Sequence, residues 1–290
     1  MNFKKKVILS LKATTILSLL SAILLTISFR WHFNSTDGYF TKGALPVIFS
    51  IIYFSGIITS LVAIFVLDKN QIIKTKNEPS KMQVFYIAIA ASLAISVLAC
   101  NLLSDNNLLS TGSLGVCAFL VYVILRSTKS GYNPSPIKIL LIYASILFPL
   151  FMMFSHKTNY LRHMNSVENT LMAVFAISFM SYILYEAKRV HEGTHSRWHF
   201  GTMLLTFHSG LSLSLAYVIA FLTKSVNEPL RFLQIIPMLL ISLFVGLELL
   251  NFINEAKSHT QEEWNEIEKS EEEIEEALEH PAAEENTIEE

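Results

Sequence analysis

His191-Glu192-Gly193-Thr194-His195 is the stretch whose residue types and spacing come closest to a defined piece of chemistry. In the H-E-x-x-H pattern, two histidines one helical turn apart bind one zinc ion, and the glutamate activates a metal-bound water. His191 and His195 would be the ligands and Glu192 the base, on a helix that has Gly193 where a helix former is wanted. His199 extends the series to i, i+4 and i+8, so a simpler metal-binding or pH-responsive helix face is a second reading. The third is a basic polar loop at headgroup level, because Lys188, Arg189 and Arg197 surround the stretch with positive charge that opposes a dication. Metal-free and non-enzymatic is the expectation that follows, with zinc confined to the peptidase reading. A phosphate-cradling glycine loop, a nucleophile elbow and an acidic cluster for Mg²⁺ are all missing from the sequence, which argues against ATP-driven work by this chain alone.

Two further ionisable residues lie inside apolar stretches, His208 and Glu248. Such groups are costly in hydrocarbon and are functional candidates for that reason. From the helical rise, His208 is about 11 Å and Glu248 about 5 Å from the nearer span ends. If their helices are neighbours, the pair could relay a proton or sense pH, or it could be an interhelical hydrogen bond with Glu248 reaching the headgroups.

The elements that must position these residues are eight apolar stretches, at 13–29, 44–67, 83–103, 108–125, 139–155, 170–186, 201–222 and 232–251. A hydrocarbon core of about 30 Å takes about 20 residues of helix, and only helices satisfy their own backbone there without a closed barrel. The fold class is therefore all-α, a polytopic transmembrane bundle of eight helices. The 290 residues, with mean hydropathy +0.44, leave no room for a separate soluble core of ordinary size. Residues 1–255 form the membrane domain, with 20 Lys and Arg against 10 Asp and Glu; residues 256–290 form an acidic tail with 2 against 14. Lys4, Lys5 and Lys6 before an apolar run mimic a signal peptide, but no small-x-small site follows and the run reads as an uncleaved span. Lys and Arg concentrate on the N-terminal side of the membrane, so both termini are expected in the cytoplasm, with the plasma membrane as location. The four-span halves 13–125 and 139–251 have similar loop lengths, as a tandem duplication would give. Small-residue stripes at Ala88, Ser92, Ser96 and Cys100, and at Gly210 and Ser214, mark expected helix contacts. Cys100 and Cys117 sit at different depths and are expected to be free thiols.

Two resemblances follow from these residues. The H-E-x-x-H motif on the cytoplasmic side, followed by two further spans, resembles membrane zinc endopeptidases of the CAAX-prenyl-protease type. On that resemblance Glu255, just past the last span, would be the third ligand; where that family has an Asp four residues later, this chain has His259. Asn34-Ser35-Thr36-Asp37-Gly38-Tyr39-Phe40, directly after the first span, resembles a loop of uncharacterised multi-pass membrane proteins of clostridia and relatives, which implies no activity. Physically, Asp37-Gly38 is a turn signal and Trp31, Tyr39 and Phe40 suit the interfacial aromatic belt.

The function expected from the sequence is passage of a small solute or ion through the bundle. The alternative is a non-catalytic sensor or assembly subunit whose acidic tail, helical and then disordered, recruits a basic cytoplasmic protein. The lipid bilayer is the expected partner in either case, and nothing points to nucleic acid.

Overall fold

The structure is a computed structural model, describing residues 3–34, 39–66, 72–74, 83–103, 107–127, 135–157, 166–225, 229–255 and 258–259. Its helices are α1 (Phe3–Trp31), α2 (Ala44–Val66), α3 (Gln83–Leu103), α4 (Asn107–Ser127), α5 (Pro136–Ser145), α6 (Leu147–Lys157), α7 (Val167–Glu192), α8 (Arg197–Leu222) and α9 (Pro229–Glu255). α5 and α6 continue one another across Ile146, which keeps helical dihedrals. The interruption has a local cause: Pro149 has no N–H to offer the Ser145 carbonyl. Counted so, the described residues hold a helical rod at each of the expected apolar stretches. Seven are long and apolar enough to cross a bilayer, while the apolar part of α4 is shorter, Gly112–Ser127. The chain is a multi-pass helical membrane protein.

Helix ends follow from sequence signals. Ser166 and Ser196 cap α7 and α8 by accepting from Asn169 N (3.4 Å) and His199 N (3.1 Å), and Pro136 stands in the first turn of α5. Short strands join the ends. β1 (Phe33–Asn34) and β2 (Tyr39–Phe40) pair antiparallel as a hairpin between α1 and α2. At the other end, β3 (Ile72–Lys74) lies between β4 (Thr194–His195) and β5 (Ser258–His259). That sheet ties the α2–α3 and α7–α8 connections to the segment after α9, and pairs Ile73 with His195 and Ile72 with His259. The turn residues Asp37-Gly38, the linker 128–134 and residues 260–290 of the expected tail lie outside the described residues.

α8 is the centre of the bundle, packed against α1, α2, α7 and α9. Its Gly210 lies against Ser242 of α9 and the Phe175 ring of α7, a close approach that the Gly210/Ser214 stripe anticipates. The α3 stripe is a correction. Ala88 and Ser92 are exposed, and α3 instead turns Tyr86, Ala90, Leu93, Val97 and Cys100 inward. Small size alone did not pick the buried face: Tyr86 and Leu93 are buried where Ala88 and Ser92 are not. The two halves do not pack alike: α8 touches four helices, whereas α3, its counterpart in a tandem repeat, packs mainly on α4 and α9. Cys100 is buried and Cys117 exposed, and neither forms a disulfide among the described residues.

Candidate functional site

α4, α7, α8 and α9 bring five ionisable side chains together at one end of the bundle. They are Arg126 near the end of α4, Glu186 and Arg189 on α7, His199 in the first turn of α8 and Glu248 on α9, none more than 5 % exposed. Glu186 and Arg189 are three residues apart, so they share one face of α7. Glu248 is seven residues from the end of α9, about 10 Å along the axis. The β4-β3-β5 sheet, whose strands follow α2, α7 and α9, lies at this same end.

The charges alternate. Arg126 contacts Oε1 of Glu186 at 3.0 Å through one terminal nitrogen and Oε1 of Glu248 through the other. Arg189 contacts the same two carboxylates, Glu186 Oε1 at 2.6 Å and Glu248 Oε2 at 3.4 Å. Two guanidinium groups therefore bridge two carboxylates, and the four formal charges cancel. Tyr122 donates its hydroxyl to Glu186 Oε1, and His199 Nε2 stands 3.2 Å from Glu186 Oε2. Aromatic rings close the site: the Arg126 guanidinium carbon is 5.0 Å from the Tyr86 ring, 5.6 Å from Phe244 and 5.8 Å from Tyr122. Tyr182 stacks on His199 at 5.6 Å. Cation–π contact stabilises a desolvated guanidinium by about 2 kcal/mol. Such an arrangement ties α4, α7, α8 and α9 together at this end of the bundle.

Glu248 is part of this cluster and His208 is not. His208 sits between α1, α2 and α8, fully buried, with Nδ1 2.9 Å from Ser18 Oγ and Nε2 3.0 Å from the Tyr53 carbonyl. The Tyr53 ring lies 5.2 Å from the imidazole, tilted by 34°. Gly56 lacks the Cβ that would collide with the imidazole. Nine residues separate His199 from His208 along α8, about 13 Å of rise, so cluster and lone histidine are two sites. The pairing of His208 with Glu248 allowed by the sequence is therefore replaced by separate partners for each, because Glu248 points between two arginines.

The H-E-x-x-H stretch does not lie on one helix. α7 ends at Glu192, and Gly193 takes the left-handed conformation (φ 66°) with its N–H on Arg189 O at 2.8 Å. Glycine closes a helix in this way at little steric cost. Thr194 and His195 then run as strand β4, so His191 and His195 are not one helical turn apart. His191 and Glu192 are exposed, and Glu192 pairs with Lys188 at 3.5 Å. The side chains of His195, Glu255 and His259 lie outside the described residues. His199, the third member of the histidine series, belongs to the buried cluster. Among the described residues, no three His, Cys, Asp or Glu side chains converge as a metal site would require.

Arg126, Glu186, Arg189 and His199 are the site residues that hydropathy misses. Each lies at or beyond the edge of an apolar stretch, since the charges themselves end the stretch while the helix continues. One available signal was the i, i+3 pair Glu186/Arg189, with Tyr182 a turn before it on the same face of α7. Compared with protein-family models, curated proteins and solved structures, the chain matches none of them.

Proposed function

We propose that this chain carries a small solute or ion through its helix bundle in the cytoplasmic membrane, with the Arg126–Glu186–Arg189–Glu248 cluster as the catch at one end. The observation behind this reading is a set of two arginines and two glutamates paired with one another inside apolar helices. Apolar residues of similar volume hold helices together as well as a buried ion-pair network does, often better. Ionisable groups retained within spans typify ion paths, relays and switches. A solute or proton that competes for Glu186 or Glu248 leaves an arginine uncompensated, which favours parting α4 from α7 and α9. The Lys and Arg bias of the connecting segments supports an orientation with both termini, and the cluster, on the cytoplasmic side.

The test uses the full chain in phosphatidylethanolamine/phosphatidylglycerol vesicles on a solid-supported electrode. It is challenged in turn with gradients of protons, alkali cations, halides, amino acids and organic acids. A transient current for at least one class, absent from empty vesicles, is the expected result. Silence toward all of them overturns the reading and favours a sensor or assembly subunit acting through the acidic tail.

A further inference from the structure

His208 is buried in the middle of the bundle, and the charge cluster makes no use of it. Its polar contacts can be filled with hydrogens in two ways, one with a charged ring and one with a neutral ring. Three contacts form one chain: His208 Nε2 to the Tyr53 carbonyl at 3.0 Å, His208 Nδ1 to Ser18 Oγ at 2.9 Å, and Ser18 Oγ to the Thr14 carbonyl at 2.7 Å. Both carbonyls can only accept, and in one arrangement Nε2 and the serine hydroxyl supply those hydrogens. That leaves the Nδ1–Ser18 contact needing a hydrogen of its own. A neutral imidazole and one hydroxyl bring two hydrogens; an imidazolium and one hydroxyl bring the three that fill every contact.

The neutral ring fits the same heavy-atom positions if the serine hydrogen turns from Thr14 O to Nδ1, since the Thr14 carbonyl keeps its helical partner. The site therefore takes up or gives back one proton with no heavy atom moving. Its surroundings favour the exchange. The Tyr53 ring lies beside the imidazole, as an aromatic ring beside a cation does. Along α1, Thr14, Ser21 and Ser28 are spaced by seven residues, about 10.5 Å each, on the face that carries Ser18. Their hydroxyls and that of Tyr53 are buried and have no hydrogen-bond partner among the described residues. Buried polar groups of this kind are ordinarily satisfied by ordered water, which supplies a proton route to the ring from either end. Of the elements packed around the imidazole, α1 presents hydroxyls and α2 the Tyr53 phenol; Lys12 of α1 is exposed, and the charge cluster is reached along α8 through His199.

We propose that His208 is a reversible proton-binding site within the membrane, which makes the proton the ion coupled to passage. The second clause rests on the carrier reading above; the first does not. On uptake, the Ser18 O–H bond breaks as its hydrogen passes to Nδ1 and forms the N–H bond, hydronium gives Ser18 Oγ a new hydrogen that points to the Thr14 carbonyl, and one water molecule leaves. Release runs in reverse.

Solid-state ¹⁵N NMR of the histidine-labelled full chain in lipid bilayers reads ring charge and tautomer directly, with His208→Gln identifying the signal. The wild type should show a doubly protonated ring at low pH that converts to the Nε2–H neutral form as pH rises. Ser18→Ala should weaken proton affinity roughly tenfold by removing the acceptor of the charged form. Ser212→Ala should leave it unchanged, because that hydroxyl bonds the His208 backbone carbonyl at 2.7 Å. A wild-type ring that stays neutral wherever the protein remains folded overturns the proposal without recourse to any variant. So does a neutral Nδ1–H tautomer, or a Ser18→Ala titration that matches the wild type. Titration as expected together with no flux of any ion upholds the proton site and overturns its coupling to passage.

Discussion

Removing one carboxylate from the buried cluster should cost more than removing an opposite pair. Glu248 contacts both arginines, and at the 3.4 Å separation from Arg189 one such contact is worth about 5 kcal/mol at an effective dielectric constant of about 20. Part of that attraction is offset by the penalty of burying Glu248 itself, a term that disappears with the charge. Glu248→Gln keeps the shape of the side chain but removes one of the two carboxylates that the described contacts place between Arg126 and Arg189. The expected loss is about 3–5 kcal/mol. Arg126→Met in the same chain restores neutrality, leaving Glu186 with Arg189, Tyr122 and His199. The double variant should then recover at least half of the loss, a coupling of about 2 kcal/mol. Reversible unfolding by SDS titration in mixed micelles, applied to the wild type, both singles and the double, measures the cycle. Additive single effects, or a Glu248→Gln loss below about 1 kcal/mol, would mean that the cluster is hydrated and loosely held, and the reasoning from burial would fail.

Gly56→Ala places a methyl group into the His208 ring, which must shift and break its hydrogen bond to Ser18; the protein should be destabilised by about 1–3 kcal/mol in the same assay. Alkaline phosphatase fused after Asp37, Asp105, Thr158 or Ser225 should be active, and after Asn77 or Glu192 inactive; the reverse pattern would invert the proposed orientation. Deleting residues 261–290 should leave flux unchanged, since the charge cluster and the His208 site are built from residues before Glu255, whereas a protein that works by recruiting a partner would lose that partner.

Much of the fold was legible because hydropathy and helical length are blunt, strong signals: each apolar stretch coincides with a helical rod of the described residues, although α1 begins ten residues before the first stretch and α7 ends six residues beyond the sixth. Packing was less legible. Ala88, Ser92, Ser96 and Cys100 have the spacing of a contact stripe, yet Ala88 and Ser92 face outward while Tyr86 and Leu93 fill the interior. Spacing gives a face but not its neighbour. Glu248 and His208 were visible as charges within apolar runs, whereas Arg126 and Arg189 were hidden by their position at the ends of those runs. The H-E-x-x-H match failed to continue as helix at a single residue, Gly193, whose left-handed conformation ends α7 inside the motif. A histidine series read as one helical face thus divided into an exposed helix end, a strand and a buried partner of Glu186.

Passage and packing are separated by measuring flux on the Arg126→Met/Glu248→Gln double variant, for the ion or solute that the wild type carries. If the cluster is the catch of a carrier, this variant should be folded and more stable than Glu248→Gln alone while its transient current falls to that of empty vesicles. A double variant that carries current at the wild-type level would reduce the cluster to a structural clamp and contradict the proposed role.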